Sequence, residues 1–334
     1  MKEIPIMFCF DQNYVIPASV AFYSLLKNNT PPHTEEVYFK LFVVHNDISH
    51  SDQEKLQLTI KPFSHFASLS FIHAGEYLKD IWEKLPDKHH FAYEMFYKLI
   101  APSLFPQYDK IIISDVDVVF LGDVKKEFLE FDCDENHLLA GVVSNDPDAF
   151  FPIPSKGYRS GYKRFNAQEL KALQYGVDAC YLIINLKQWR AHKTQEKAIE
   201  YLQNNFHKLV LAEQNVLAIV CANHIKSLGL QYGASNKSWL HLGESWEKLT
   251  PKIYTQNEID EACKNPIQLH FAGANKPWNT PSEPKSEIWF QYLCQTPFLQ
   301  DYLNTLEQRM FKKFKESRFV YRLLRLIKRK LLKS

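Results

Sequence analysis

Residues 110–124 read KIIISDVDVVFLGDV. Isoleucines 111–113 spell a buried strand, and a second apolar run resumes at Val118. Between them stand two aspartates, Asp115 and Asp117. In an extended chain, residues i and i+2 point to the same side. The two carboxylates would therefore lie side by side, where like charges raise each other's pKa. A divalent cation relieves that repulsion, and carboxylate oxygens are the ligands Mg²⁺ and Mn²⁺ prefer. Two carboxylates also leave coordination positions open for phosphate oxygens. The chain contains three Asp-x-Asp patterns, where about one is expected by chance. Asp132/Asp134 and Asp146/Asp148 stand in polar surroundings and read as turns or caps. Asp115/Asp117 alone sits between apolar runs, which points to metal binding.

IPIMFCF (4–10), VYFKLFVV (37–44), LSFIHA (69–74) and KIIIS (110–114) read as strands. Helical patterns separate them: Pro17–Lys27, 49–60 with Ser49 as its cap, and 91–105. Strands alternating with helices predict a βαβ series and a mainly parallel sheet, an α/β fold. Such sheets bind ligands beyond the carboxyl ends of their strands. Asp11 follows the first strand and Asp115/Asp117 the fourth, so all three face one crevice. HLLAGVVS (137–144) and ACYLIINL (179–186) are further buried strands. Residues 145–165 read as a long loop, 212–223 as a helix and 267–273 as a last short strand.

The 334 residues suffice for one large domain or two smaller ones. Fourteen per cent are aromatic, which suits a large core and stacking surfaces for a ring-shaped ligand. Six scattered cysteines without a CxxC read as core thiols in a reducing compartment. The first residues lack the pattern of a secretory signal, and no apolar stretch is long enough to span a bilayer. Net charge is +2, but residues 309–334 carry +10 and residues 1–308 carry −8. An acidic body with a basic tail does not read as a nucleic-acid binder. In the tail, Val320, Leu323, Leu324, Ile327 and Leu331 recur at helical spacing among arginines and lysines. That is the pattern of a helix lying in a membrane interface. A basic helix packed on the acidic body is the other reading.

Five segments occur in order: FCFDQNY (8–14), DVD (115–117), DACYLIINLKQW (178–189), AEQNVL (212–217) and HFAGANKPW (270–278). Together they resemble the family 8 glycosyltransferases, retaining enzymes that include bacterial lipopolysaccharide galactosyl- and glucosyltransferases and glycogenin. The likeness runs from residue 4 to about 280. It implies a GT-A fold over residues 1–280, with residues 281–334 as a C-terminal helical region. It also implies a UDP-sugar donor and Mn²⁺, with Mg²⁺ as the alternative ion. The apolar strand ending in Asp115 and Asp117 is similar as well to the nucleophile motif of haloacid-dehalogenase phosphatases. That family needs a downstream acidic pair, and no convincing one is present. An inactive, membrane-bound sugar-nucleotide binder is a further alternative.

The family 8 resemblance implies a role for each matching residue. Asp115, Asp117 and His270 would hold the metal, although His270 alone would read as a core histidine. Cys9, Asp11, Asn13, Tyr14 and Val116 would bind the nucleotide, with Asp11 accepting from the uracil N–H and Tyr14 stacking. Gly273 and Lys276 would receive the diphosphate. His90, Lys98, Asn145, Asp178, Ala179, Glu213 and Gln214 would line the donor-sugar and acceptor pocket. Lys98 stands where bacterial members usually carry Arg, and so lacks a bidentate fork. Asp178-Ala179-Cys180 replaces the usual Asn-Ala-Gly or Asn-Ser-Gly; a carboxylate accepts from sugar hydroxyls but cannot donate. Retention is open between attack from the face that UDP leaves and a covalent route. Gln214 is a poor nucleophile, and Asp178 is a conceivable one. The implied acceptor is a lipid-linked oligosaccharide of the lipopolysaccharide core, met at the anionic inner face of the plasma membrane through residues 309–334.

Overall fold

The computed structural model describes residues 2–30, 37–85, 91–143, 163–174, 176–236 and 254–331. Four strands open the fold: β1 (Lys2–Cys9), β2 (Val37–His45), β3 (Ala67–His73) and β4 (Lys110–Ser114). Then come β5 (Val118–Phe120), β6 (Leu139–Val143), β7 (Val177–Asn185) and β8 (Ile225–Ser227). Two short strands, β9 (Ala234–Ser235) and β10 (Gln268–His270), complete the set. Seven strands form a central sheet in the order β3-β2-β1-β4-β7-β6-β8, and β5-β10-β9 form a small second sheet.

The expected βαβ series is present, with one reversal. β1, β2, β3 and β4 run parallel, whereas β7 is antiparallel to both β4 and β6. A strand buried on both faces carries no marker of its direction, so its apolar run looks the same either way. Helices cover both faces of the sheet. β4 shows why: Ile112 joins one core with Phe8, Phe22 and Leu25, while Ile111 and Ile113 join the other with Val216 and Leu217. The helix Val15–Asn28 packs on the first face and the helix Ala212–Val220 on the second. The first core reaches into the C-terminal region, where Trp289, Leu293, Phe298 and Tyr302 are buried.

Local signals set several boundaries. Ser49 Oγ accepts from the Asp52 amide at 3.2 Å and starts the helix His50–Ile60. Residues 91–105 depart from the expected single α-helix. Tyr93–Ile100 is wound as 3₁₀ turns, followed by one short helix, Ala101–Leu104. The apolar spacing there fits a period near three as well as 3.6, so pattern alone does not separate them. Asp132 behaves as a turn residue, accepting from the Asp134 amide at 2.8 Å. All six cysteines are free. Asp146, Asp148 and residues 145–162 of the loop fall outside the described residues.

Candidate active site

The register of β1 against β4 pairs Phe8 with Ser114. The chain leaves both strands at the same edge, which brings Asp11 and Asp115 into one crevice. Asp11 closes the turn Gln12–Tyr14 by accepting from the Asn13 amide at 2.9 Å and its side-chain amide at 3.0 Å. Gln12 ties that turn to the next strand end, donating its amide to Asp47 at 2.9 Å and accepting from the Ser49 amide at 2.7 Å. The Tyr14 ring meets Trp278 edge-on, centroids 5.8 Å apart. Burial pushes its phenol up to about 12, and Asp117, Asp11 and Asp115 reinforce the shift.

A cavity of about 140 Å³ opens there, lined by Cys9, Asp11, Tyr14, Asp115, Val116 and Asp117. Ala92, Glu94 and Met95 also line it. Sequence reasoning missed these three. The available signal was a lone acid, Glu94, within the apolar run 91–100; burial raises its carboxyl pKa.

The small sheet supplies the opposite side. β10 runs antiparallel to β5, pairing His270 with Val118, and the Phe271 amide donates to the Asp117 carbonyl at 3.0 Å. Ligand atoms of Asp115, Asp117 and His270 all lie within 4.8 Å of one another. His270 Nε2 is 3.6 Å from Asp117 Oδ1, while its Nδ1 is buried with no partner. A buried ring nitrogen without a partner is unusual. Nε2, with the Asp115 and Asp117 carboxylates, makes a donor set that a divalent cation fits.

Each carboxylate already has a lysine. Lys276 Nζ pairs with Asp117 and donates to the Phe271 carbonyl at 2.6 Å. Lys98, 3 % exposed, donates to Asp115 at 2.6 Å, Glu213 at 2.8 Å and the Ala179 carbonyl at 3.1 Å. The expectation that repulsion raises both carboxyls is therefore reversed at Asp117. Burial opposes its ionisation, but His270 and Lys276 outweigh burial and hold it well below the usual carboxylate range. Burial likewise opposes the charge on His270, yet Asp117 raises its pKa above the ordinary value. Lys98 is buried too, but Asp115 and Glu213 keep it protonated.

An ammonium has three N–H donors, and Lys98 uses all three on protein acceptors. These bonds place Lys98 on Asp115, Glu213 and the Ala179 carbonyl. Glu213 is buried, 3 % exposed, with Oε2 unpartnered. Burial raises its pKa against the pull of Lys98. The residue before it, Ala212, has φ +39°, a left-handed conformation costly for any residue with a Cβ. Asn215 Oδ1 secures that bend by accepting from the Val210 and Leu211 amides at 2.9 and 2.8 Å.

Asp178 lies inside β7, not before it, and accepts from the Cys180 amide at 3.0 Å. Gln214 is partly exposed on the same helix as Glu213. Gly273 has φ +86°, and a Cβ there would meet nothing within 4 Å. Its requirement is conformational, at the head of the turn leading to Lys276. His90 and Asn145 lie outside the described residues. Gln268, absent from the sequence-based set, is fully buried and donates to Ser114 Oγ at 2.9 Å, bracing β10 against β4.

Comparison with known proteins agrees with this architecture. General stress protein A of Bacillus subtilis is 24 % identical over 87 % of this chain and 93 % of its own length. The lipopolysaccharide 1,3-galactosyltransferase of Salmonella typhimurium is 21 % identical over 88 % of this chain and 78 % of its own. Among solved structures, galactosyltransferase LgtC in complex with donor and acceptor sugar analogs superposes with a TM-score of 0.65. It is 16 % identical, over 88 % of this chain and 96 % of that one. The fold is thus the GT-A fold of these transferases. The dehalogenase alternative falls away, because the family model for glycosyl transferase family 8 matches residues 5–281. The chain belongs to glycosyl transferase family 8.

Proposed function

We propose that this transferase is a retaining α-hexosyltransferase that moves galactose or glucose from a UDP-sugar to a saccharide acceptor. The observation that carries the reading is one crevice walled by Asp11 and Tyr14 on one side and by Asp115 and Asp117 on the other, with His270 clustered on the two aspartates. Asp11 would accept from the uracil N–H, and Tyr14, flanked by Trp278, would stack on the ring. Lys276 and the turn at Gly273 would receive the diphosphate. Asp115, Asp117 and His270 would hold Mn²⁺, since a mixed carboxylate–imidazole set suits it better than Mg²⁺. Bound there, the ion would supply Lewis-acid charge for the UDP leaving group.

Asp178, Glu213 and Gln214 would face the donor sugar. Asp178 can accept from hydroxyls but not donate, which makes it the residue that would set donor preference. The acceptor would be a lipid-linked oligosaccharide of the lipopolysaccharide core, met on the cytoplasmic side of the membrane. No helix among the described residues is long and apolar enough to cross a membrane, so contact would be peripheral, through residues 309–334. The test is to incubate the protein with Mn²⁺ and UDP-galactose, UDP-glucose or UDP-N-acetylglucosamine separately. UDP release with one of the first two is expected. No release from any of the three, with and without added oligosaccharide, defeats the reading.

A further inference from the structure

His270 belongs to two ligand sets. Its imidazole, the Asp178 carboxylate and the Cys180 thiol also have ligand atoms within 4.8 Å of one another. Asp178 and Cys180 are two apart on β7, so the pleat sends both side chains the same way. The bond from the Cys180 amide to Asp178 Oδ1 fixes the carboxylate beside the thiol. The Asp115 amide donates to the Cys180 carbonyl at 3.0 Å, which joins this corner to the end of β4. Cys180 is 1 % exposed, and the buried His270 Nδ1 has no partner.

The two sets differ in their chemistry. Asp115, Asp117 and His270 offer two hard oxygens and one nitrogen. Asp178, Cys180 and His270 offer sulfur, nitrogen and oxygen, the donors of tetrahedral Zn²⁺ sites. At Zn²⁺ bond lengths, tetrahedral ligand atoms stand about 3.5 Å apart, so small torsional adjustments close the set and leave a fourth position for water. We propose that Asp178, Cys180 and His270 form a second cation site, selective for thiophilic divalent ions such as Zn²⁺ or Cd²⁺. On binding, the thiol gives its proton to solvent and Cys180 ligates as thiolate; no oxidant or reductant takes part. A neutral imidazole has one lone pair to give, so His270 serves one site at a time. A thiophilic ion therefore removes His270 from the Asp115–Asp117 cluster and acts as a reversible inhibitor of transfer. The binding stands apart from the transferase reading; the inhibition rests on it.

The experiment uses the full-length reduced protein. Stoichiometric Co²⁺ should produce thiolate-to-metal charge-transfer absorption in the wild type, in Cys9→Ser and in Asp115→Asn, but not in Cys180→Ser. Cys9 is the control because its thiol lines the same crevice. If Cys180→Ser does not fold, Cys180→Ala replaces it. Cadmium-113 NMR of the wild type needs no variant and should show one sulfur ligand. With Zn²⁺ at about ten times its Kd, Mn²⁺-dependent UDP release should fall about tenfold in the wild type. Cys180→Ser, compared with its own Mn²⁺ rate, should not show that fall. A cadmium shift in the all-oxygen range, or a charge-transfer band that survives loss of Cys180, overturns the site. Binding without inhibition keeps the site and overturns only its exclusivity with the Asp115–Asp117 cluster.

Discussion

Lys98 Nζ stands 2.6 Å from Asp115 Oδ1, and the lysine is almost wholly buried. The same ammonium holds Glu213 and the Ala179 carbonyl. It neutralises two carboxylates, one of them in the crevice wall, and holds Asp115 in place. Lys98→Met would leave both carboxylates buried without a counter-charge. The expected cost is roughly 3–5 kcal/mol, the usual penalty for breaking a buried pair by removing one partner. Urea unfolding of the metal-free protein measures it. Adding Glu213→Gln should recover part of the loss. A variant of unchanged stability with only a raised KM for donor would show that Lys98 serves the ligand instead.

Lys276 stands in a similar relation to Asp117, and is 8 % exposed against 3 % for Lys98. Without nucleotide, its positive charge competes with any cation for the Asp117 carboxylate. Lys276→Gln should therefore tighten Mn²⁺ binding to the free protein while weakening UDP binding in the presence of Mn²⁺. Each change should be on the order of tenfold, or about 1.4 kcal/mol. Electron paramagnetic resonance of free Mn²⁺ reads the first and calorimetry with UDP the second. Two changes of the same sign would mean that Lys276 does not switch between carboxylate and diphosphate.

The same two lysines show what was legible in the sequence. The strand-end position of Asp11, Asp115 and Asp117 could be read because apolar runs and helix caps are local signals. The neutralisation of Asp115 and Asp117 could not. Lys98 lies 17 residues from Asp115 and Lys276 lies 159 from Asp117, and no periodicity links them. An isolated reading of two neighbouring carboxylates predicts mutual repulsion, and with it a metal-free protein stabilised by losing one. With each aspartate paired to a buried lysine, Asp117→Asn should instead destabilise the metal-free fold. The antiparallel course of β7, and with it the approach of Cys180 to His270, was hidden for a similar reason. A doubly buried strand has the same pattern in either direction. β9 and β10 are too short to carry a period of two.

Away from the crevice, Glu169 makes an acid-sensitive anchor. It accepts from the Asn166 amide at 2.7 Å, the Tyr201 hydroxyl at 2.7 Å and Lys208 at 3.1 Å. Burial opposes its ionisation, but these donors outweigh burial and lower its pKa. A depressed carboxyl pKa adds stability that is present above the unfolded value and is lost as pH falls through the folded one. Stability should therefore decline below a pH of about 4.5. Glu169→Gln should be less stable than the wild type near neutrality and lose less on acidification. Chemical denaturation at a series of pH values compares them; parallel curves would remove Glu169 from the account.

The helix Leu299–Ser317 changes character along its length. At its start Phe298 and Tyr302 are buried, Asp301 pairs with Lys55 at 2.9 Å, and Arg309 donates to the Trp278 carbonyl at 2.9 Å. Beyond Arg309, Met310, Phe311 and Phe314 are more than half exposed. A second helix, Phe319–Leu331, exposes Leu323, Leu324 and Leu326. Exposed apolar side chains interleaved with ten basic residues after Arg309 suit insertion at an anionic lipid surface. A tail folded back onto the acidic body would have buried them. Truncation after Arg309 keeps every anchoring contact named above, so it should leave the melting temperature and UDP release with a small acceptor unchanged. It should abolish co-sedimentation with phosphatidylserine vesicles. Binding of the full chain should weaken as salt rises, because screening removes the electrostatic share and leaves the apolar one. Vesicle binding that survives the truncation would place the membrane contact elsewhere. A truncated protein that unfolds would show that the tail belongs to the core.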